Sequence, residues 1–330
     1  MAPISLQPSA PGKVILFGEH AVVYGRPAIA VPVTQVRATA TVKPAPPGSG
    51  LTLVAPDVGK SIFLATAPQE EPLAAAARFT LDHLSAPEPD ATITVSSTIP
   101  IASGLGSGAA VSTALVRALA TSLGHTLKPE EVSALVFEVE KIHHGTPSGI
   151  DNTVVAYEQP VYFVRGHHVE RLTVGESFTL LIGDTGSRSP TRKVVESVRR
   201  ACDRNPARYD ALFDQMGDLA GEARQAIETG DVETLGPLMD ENHALLIELG
   251  VSSPELNDLV ETARLAGALG AKLSGAGRGG NMIALVEDDF AEEVAEALRE
   301  AGAVRVICTT VRTNVASSSS KVESPSPPLP

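Results

Sequence analysis

The sequence predicts a two-domain protein of the α/β (α+β) class. Its 330 residues are enough for two ordinary domains. The first third alternates short strand-like runs with proline and glycine breaks, whereas the apolar spacing over 191–269 is mostly helical. The composition shifts at Ser177, where we place the domain boundary. The predicted units are an N-terminal domain over 1–176, a C-terminal domain over 177–316, and a disordered tail or non-native extension over 317–330.

The N-terminal domain is predicted to begin with a buried strand at 14–17, an apolar run bounded by Gly12 and Gly18. Alternation of apolar and polar residues predicts further strands, and a hairpin-like section passes through Tyr162 and Val169. These strands are 28–42, 51–54 and 91–96. Helical spacing of apolar residues predicts three helices, at 73–84, 108–123 and 129–144.

The C-terminal domain is predicted to open with a strand just after Ser177, followed by helices over 191–269. Two strands at 271–274 and 282–286 come next, then a helix that runs to Ala301 and a last strand at 304–311. A serine run and several prolines after residue 316 are typical of a disordered segment.

The composition is that of a soluble globular chain with an acidic surface. Hydrophobic residues make up 43% and charged residues 20%, with a net charge of −13. Such a charge argues against nucleic acid or an anionic membrane as a partner, so a phosphate ligand would need a local site. Cys202 and Cys308 are too few for a disulfide framework, no signal peptide precedes Pro11, and no apolar run approaches the ~20 residues of a membrane span. We therefore expect a cytoplasmic protein.

The first candidate site lies at 11–25, where Lys13, Glu19 and His20 stand close to the two ends of the first predicted strand. A buried strand with a cation, a carboxylate and an imidazole at its ends is typical of the edge of an active site. Each residue taken alone is better explained as a solvated turn residue or a surface histidine. The combination is what points to function.

The second candidate site is a glycine-rich loop at 99–110 that runs directly into a predicted helix. Glycines let the backbone approach an anion, and the N–H groups and dipole of a helix N-terminus favour phosphate. The loop lacks the Gly-Lys-Ser/Thr ending of a Walker loop, and its fit to the dinucleotide pattern is weak evidence. A turn needed only for packing is the alternative. The candidate ligands are Pro100, Ser103, Gly104, Leu105, Gly106, Ser107, Gly108 and Ala109.

The third candidate site pairs Glu140 on a predicted helix with Asp151 in a glycine-framed loop. A phosphoryl-transfer enzyme needs an oxygen ligand for Mg²⁺ and a carboxylate that accepts a hydroxyl proton, and these two residues could divide the roles. Alternatively, Glu140 is a solvated helix residue and Asp151 a turn former. The pairs at 143–144 and 167–168 are interpreted as surface histidines rather than metal ligands.

The fourth candidate site is a second glycine-rich loop at 272–281, between two predicted strands. The glycines again imply close approach of backbone to a neighbour. A ligand clamp and a long hairpin loop are both compatible with this stretch.

Taken in order, the motifs at 11–25, 100–110 and 272–280 resemble those of the GHMP kinase superfamily, over nearly the whole chain to about Val311. Within it, the stretches 18–25 and 140–151, and Asp184-Thr185-Gly186 followed by 190–192, are similar to those of mevalonate kinases. The resemblance implies an N-terminal domain like the second domain of ribosomal protein S5, a ferredoxin-like C-terminal domain, and a cleft between them where ATP and substrate meet.

The implied activity is ATP-dependent phosphorylation of the primary hydroxyl of mevalonate, a step of isoprenoid biosynthesis by the mevalonate pathway. The implied ligands are mevalonate, ATP and Mg²⁺, with a possible homodimer. The alternatives are a phosphomevalonate kinase, another small-alcohol kinase of the superfamily, or a non-catalytic sensor of nucleotide or isoprenoid.

The resemblance also implies roles for single residues. Asp151 would be the base beside Lys13, and Glu140 and Ser107 would bind Mg²⁺. The implied substrate contacts are Glu19, His20, Thr191 and Arg192, and the implied ATP contacts are the second-site residues given above with Gly277 and Arg278. Two positions depart from the family pattern, since Gly108 replaces a serine often assigned to the metal and Arg278 interrupts a run of glycines.

Overall fold

The computed structural model describes residues 7–100, 103–144, 147–187 and 191–314. Within them the chain forms a seven-stranded sheet from its first half and a four-stranded sheet from its second half. The strands of the first sheet are β1 (Ser9–Phe17), β2 (Ala28–Pro44), β3 (Leu51–Ala55), β4 (Lys60–Phe63), β5 (Ala91–Ser97), β6 (Val161–Phe163) and β7 (Glu170–Arg171).

The long strand β2 organises the first sheet. The strand order is β4-β3-β5-β2-β6-β7, and β1 also pairs with β2, with Val14 opposite Val31. All pairs are antiparallel except β3 with β5. β1 is buried along nearly its whole length, which agrees with the apolar run seen in the sequence. The C-terminal end of β1 therefore lies inside the molecule and not at its surface.

Four helices accompany this sheet: α1 (Pro72–Leu84), α2 (Ser107–Ser122), α3 (Pro129–His144) and α4 (Ile150–Tyr157). The central one is α2, which contacts β1, β2 and β5 as well as the other three helices. Its Leu115 and Leu119 side chains are completely buried. Burial on several sides holds α2 in place, and the N-terminus of this helix lies beside Lys13 in the middle of β1.

The second sheet consists of β8 (Phe178–Asp184), β9 (Gly270–Ser274), β10 (Asn281–Val286) and β11 (Arg305–Val311), in the order β11-β8-β10-β9 with all pairs antiparallel. Four helices connect β8 to β9, and one connects β10 to β11. These helices are α5 (Thr191–Arg204), α6 (Pro206–Thr229), α7 (Val232–Glu248), α8 (Pro254–Leu265) and α9 (Ala291–Glu300). This order confirms the predicted ferredoxin-like arrangement, with extra helices in the first crossover.

Several contacts join the two halves close to the end of β1. Tyr24, in a short 3₁₀ turn after β1, stacks on Phe213 of α6 with ring centroids 4.3 Å apart. The Ser274 hydroxyl in β9 donates to the Ile15 carbonyl at 2.8 Å and accepts from the Ile15 N–H at 3.2 Å. The C-terminal sheet is thus bonded directly to the strand that carries Lys13.

The predicted strands and helices are confirmed to within a few residues, with three exceptions. The first strand, β1, begins at Ser9 and not at the predicted Val14, so Lys13 lies inside the strand and not at its end. The short edge strand β4 was not predicted, and 150–157 forms α4 where a loop was expected. Valine and threonine dilute the helical signal of α4, and Gly149, with φ 96°, makes the turn that starts it. The predicted tail at 317–330 and the loop residues Gly145 and Thr146 lie outside the described residues. None of the helices described is long and apolar enough to cross a membrane.

Candidate active site

Lys13 and Asp151 form the centre of the site. Lys13 lies in β1, and its Nζ is 3.0 Å from Oδ1 of Asp151 in the first turn of α4. The lysine side chain is 5% exposed and the aspartate 35%. The pair therefore joins a buried cation to a carboxylate that a ligand can reach.

The glycine-rich loop is built around the same lysine. The Lys13 N–H donates to the Leu105 carbonyl at 3.0 Å. A Cβ at Gly106, which has φ 72°, would lie 2.8 Å from Cγ of Lys13. Only glycine leaves room for the lysine stem there, so this glycine is required by close approach. Helix α2 begins one residue later, and its first N–H groups open towards the loop.

Glu140 of α3 is the second carboxylate of the site and is 6% exposed. Burial, together with the negative charge of Asp151, raises its pKa to about 7, and the charge of Lys13 opposes this shift. A Cβ placed on Gly108 would be 3.2 Å from Oε1 of Glu140. Glu140 therefore lies against the first turn of α2, and the structure brings Lys13, Glu140, Asp151 and the glycine-rich loop together.

The β9–β10 hairpin closes the other side of this loop. The Asn281 Nδ2 donates to the Ser103 carbonyl at 2.6 Å, and this asparagine is buried. A small cleft remains between the two glycine-rich segments. It is lined by Ser103, Gly104, Ser187, Thr191, Ser274, Ala276, Gly277, Gly279, Gly280 and Asn281.

Two predicted site residues face different surroundings. Thr191 lines this cleft at the start of α5. Arg192 is 86% exposed, and its Nε donates to Glu196 one turn further along α5 at 3.0 Å. Thr191 thus lies at the site, whereas the Arg192 side chain lies on the open surface of the helix.

Arg278 is bonded to neighbouring helices. Its backbone N–H donates to the Val251 carbonyl at 2.7 Å. Its guanidinium donates to the Gly250 carbonyl at 3.2 Å, just beyond α7, and to the Ser197 hydroxyl of α5 at 3.1 Å. A Cβ on Gly277 would lie 2.0 Å from the Val251 carbonyl oxygen, so the hairpin loop packs tightly on the end of α7.

Glu19 is completely buried. It forms an ion pair with Lys272 of β9, and its Oε2 accepts a hydrogen bond of 3.3 Å from Asn242 of α7. Burial raises the pKa of Glu19 and lowers that of Lys272. Lys272 lies in the fourth predicted motif, but the sequence indicated no role for it. Asn242 was not predicted, because one polar residue on an amphipathic helix carries no signal.

His20 follows directly and has a positive φ of 61°. Its Nε2 lies 2.9 Å from the Ala276 carbonyl, so Nε2 carries the proton and Nδ1 is an acceptor. Burial lowers the pKa of this imidazole to about 4, and Arg278 adds to the shift. His20 is therefore uncharged at neutral pH.

Two family models match the chain: the GHMP kinases N terminal domain over residues 72–159 and the GHMP kinases C terminal model over residues 223–304. With the fold and the glycine-rich loops, these matches define the class as a GHMP kinase. The mevalonate kinase of Thermococcus sibiricus is 37% identical over 325 residues, covering 91% of this chain and 94% of that protein. That of Aeropyrum pernix is 38% identical, covering 88% and 92%. The chain belongs to the mevalonate kinase family.

Solved structures agree with this assignment. The L. major mevalonate kinase in complex with R-mevalonate is 31% identical and has a TM-score of 0.79, covering 94% of this chain and 97% of that chain. The Methanococcus jannaschii mevalonate kinase has a TM-score of 0.81 at 28% identity, covering 93% and 99%. A Streptococcus pneumoniae phosphomevalonate kinase has a TM-score of 0.78 at 17% identity, covers 91% and 98%, and shares the fold alone.

Proposed function

We propose that this protein transfers the γ-phosphoryl group of ATP to the primary hydroxyl of mevalonate. The observation that carries the proposal is the Lys13–Asp151 pair, placed beside a glycine-rich loop that runs into the N-terminus of α2. The relatives named mevalonate kinase support the choice of substrate, and one of their solved structures holds R-mevalonate.

Asp151 is the proposed general base. Its partial exposure leaves room for a substrate hydroxyl, and a carboxylate can accept the proton as the hydroxyl oxygen attacks the γ-phosphorus. The bond from the γ-phosphorus to the bridging oxygen of ADP then breaks. The Lys13 ammonium, 3.0 Å from Asp151, would stabilise negative charge that develops on the attacking oxygen.

Glu140 and Ser107 are the proposed Mg²⁺ ligands. Carboxylate and hydroxyl oxygens are the hard donors that Mg²⁺ prefers. Glu140 also fits a cation because burial and the charge of Asp151 both disfavour its negative charge when no cation is present. No group of three or more His, Cys, Asp and Glu side chains that could hold a metal occurs in the described part of the chain. When bound with ATP, Mg²⁺ would neutralise charge on the phosphates.

We propose that ATP phosphates bind the loop that includes Ser103–Ala109, preceded by Pro100 and faced by Gly277. The first N–H groups of α2 supply positive potential without net charge, as an acidic protein requires. The guanidinium of Arg278 already donates to Gly250 and Ser197. We therefore propose that Arg278 acts on the nucleotide through the loop backbone that it holds in place.

On the substrate side, we propose that His20 and Thr191 line the mevalonate site. His20 would act as a neutral hydrogen-bonding group, because its pKa is about 4. Arg192 would need to turn away from Glu196 to reach a substrate carboxylate. Glu19 is sealed from solvent, so we propose for it a supporting role and no direct contact with the substrate.

The proposal is tested by a coupled ADP-release assay with four candidate acceptors: mevalonate, phosphomevalonate, homoserine and galactose. We expect kcat/KM to be highest for mevalonate by a wide margin. A higher value for phosphomevalonate would assign the chain to the next step instead. ADP release with none of the four, in a protein that still binds ATP, would favour the non-catalytic alternative.

A further inference from the structure

We infer that the buried Glu19–Lys272 ion pair is a positioning device that holds His20 at the substrate site. This inference rests on the proposed function, because it assigns His20 to the mevalonate side of the cleft. Glu19, His20 and Lys272 do not themselves line the described cleft, but His20 is bonded to Ala276, which does. The ion pair would therefore act through the residue that follows Glu19.

The pair joins distant parts of the chain at one point. Glu19 lies two residues after β1, Lys272 lies in β9, and Asn242 of α7 donates to the second carboxylate oxygen of Glu19. The Lys272 ammonium also donates to the Leu273 carbonyl at 2.8 Å. Because both side chains are fully buried, the ion pair attaches the Glu19 segment to β9 of the second sheet.

His20 needs such a support because its own backbone is unfavourable. Its φ of 61° and ψ of −48° lie near the γ-turn conformation, which is rare and strained, and the Ala21 N–H donates to the Glu19 carbonyl across it at 2.7 Å. Residues held in such a conformation persist only where the surrounding structure determines it. Here the determinants are the anchored Glu19 on one side and the His20–Ala276 hydrogen bond on the other.

The two anchors also end on the same hairpin. Lys272 is in β9, and Ala276 lies in the glycine-rich loop that follows this strand. Glu19 and His20 are therefore both attached to the segment that faces the ATP loop through the Asn281–Ser103 bond. Loss of the ion pair would release Glu19 and with it the backbone that orients the His20 imidazole. The 103–109 loop would keep its own bonds to Lys13 and Asn281.

The test is the double variant Glu19→Gln/Lys272→Met, which replaces the pair by neutral groups of similar size and so avoids an unpaired buried charge. We expect the variant to fold, with KM for mevalonate raised about tenfold to a hundredfold and KM for ATP changed less than about twofold. A merely structural role would move both constants together or neither.

A second readout does not depend on catalysis. In protein labelled with ¹⁵N-histidine, the His20 signal, identified by its loss in His20→Gln, should show the Nε2–H tautomer in the parent and a tautomer mixture in the double variant. If the parent lacks activity with mevalonate, the proposed function fails, but this spectrum still tests the positioning role.

The matched control is Asp240→Asn/Arg264→Gln. This ion pair of 2.7 Å also joins α7 and α8 to β9, through bonds to the Ala271 N–H and carbonyl, but it makes no contact with Glu19 or His20. We expect both KM values and the His20 spectrum to match the parent. Should the double variant fail to fold, Glu19→Asp, which keeps the charge and shortens its reach, gives the same two readouts. Unchanged KM for mevalonate and an unchanged tautomer, in whichever variant folds, would overturn the inference.

Discussion

One lysine–carboxylate pair lies at the middle of β1 and a second lies just beyond its C-terminal end, and the two pairs differ in access to solvent. The Lys13–Asp151 pair leaves its carboxylate 35% exposed, whereas both side chains of the Glu19–Lys272 pair are completely buried. An accessible carboxylate can exchange a proton with a ligand, but a sealed one can only hold structure. The same chemistry thus serves a proposed catalytic role at one place and a proposed supporting role at the other.

The largest expected effect is on the accessible pair. Asp151→Asn keeps the shape of the side chain but cannot accept a proton, so we expect kcat to fall about 10³-fold. ADP affinity, measured by calorimetry, should stay within about threefold of the parent, because the amide leaves the glycine-rich loop intact. Near-normal turnover would remove Asp151 as the base.

A change at the buried Glu19–Lys272 pair should instead lower the stability of the fold. The single change Glu19→Gln leaves a buried ammonium without its counter-charge, and we expect the free energy of unfolding to fall by about 3 kcal/mol. Asp151→Asn, at the accessible pair, is the matched comparison and should cost less, because Asp151 is partly exposed and Glu140 leaves a second carboxylate near the Lys13 ammonium. Denaturant unfolding of both variants measures the difference. Equal losses would contradict the distinction between the two pairs.

The surroundings of the sealed pair should also make the fold sensitive to acid. His243 is buried beside Lys272 and Arg264, and its pKa is lowered from 6.5 to about 4, chiefly by burial. Below pH 6.5 His243 binds a proton in the unfolded chain but not in the folded chain, so the free energy of unfolding decreases as the pH falls towards 4.

This loss amounts to about 3 kcal/mol for His243. In the parent, the Leu273 N–H donates to His243 Nδ1 at 3.2 Å. The variant His243→Asn keeps an acceptor for this N–H, but its side chain does not titrate. Unfolding free energies of parent and variant at pH 7 and pH 4.5 give the comparison. We expect a steeper fall in the parent, and parallel curves would show that His243 takes up its proton equally in both states.

Glu140→Gln tests the second carboxylate of the accessible region. A neutral amide is a poorer ligand for a hard cation, so the Mg²⁺ concentration at half-maximal ADP binding should rise about tenfold. Calorimetric titration with ADP at several Mg²⁺ concentrations measures this without turnover. The same Mg²⁺ dependence in parent and variant would exclude Glu140 as a ligand.

The smallest effect is expected at Arg278. Because its guanidinium is bonded to Gly250 and Ser197, Arg278→Gly should change ADP affinity by less than about threefold, and glycine accepts the positive φ of 55° without strain. The control is Arg299→Gly, on the exposed face of α9. A loss of tenfold or more at Arg278 alone would instead indicate direct contact with phosphate.

The accessible pair was easier to predict from the sequence than the buried pair. Lys13 and Asp151 were predicted because each stands in a glycine-framed motif, and glycines at close approaches leave a signal. The helix that carries Asp151 was missed, because its two valines and one threonine are residues that are common in strands. The partner of Glu19 was missed because Lys272 lies 253 residues further along, and burial in the folded molecule is what makes the pair.

The measurement that tests the proposed function most directly is ³¹P NMR of the parent protein with ATP, Mg²⁺ and mevalonate, beside the same sample made with Asp151→Asn. We expect a phosphomonoester signal to grow with the ADP signals in the parent alone, because the new bond joins one phosphoryl group to the primary hydroxyl. No phosphomonoester in the parent sample, or equal growth in both samples, would contradict phosphorylation of mevalonate with Asp151 as its base.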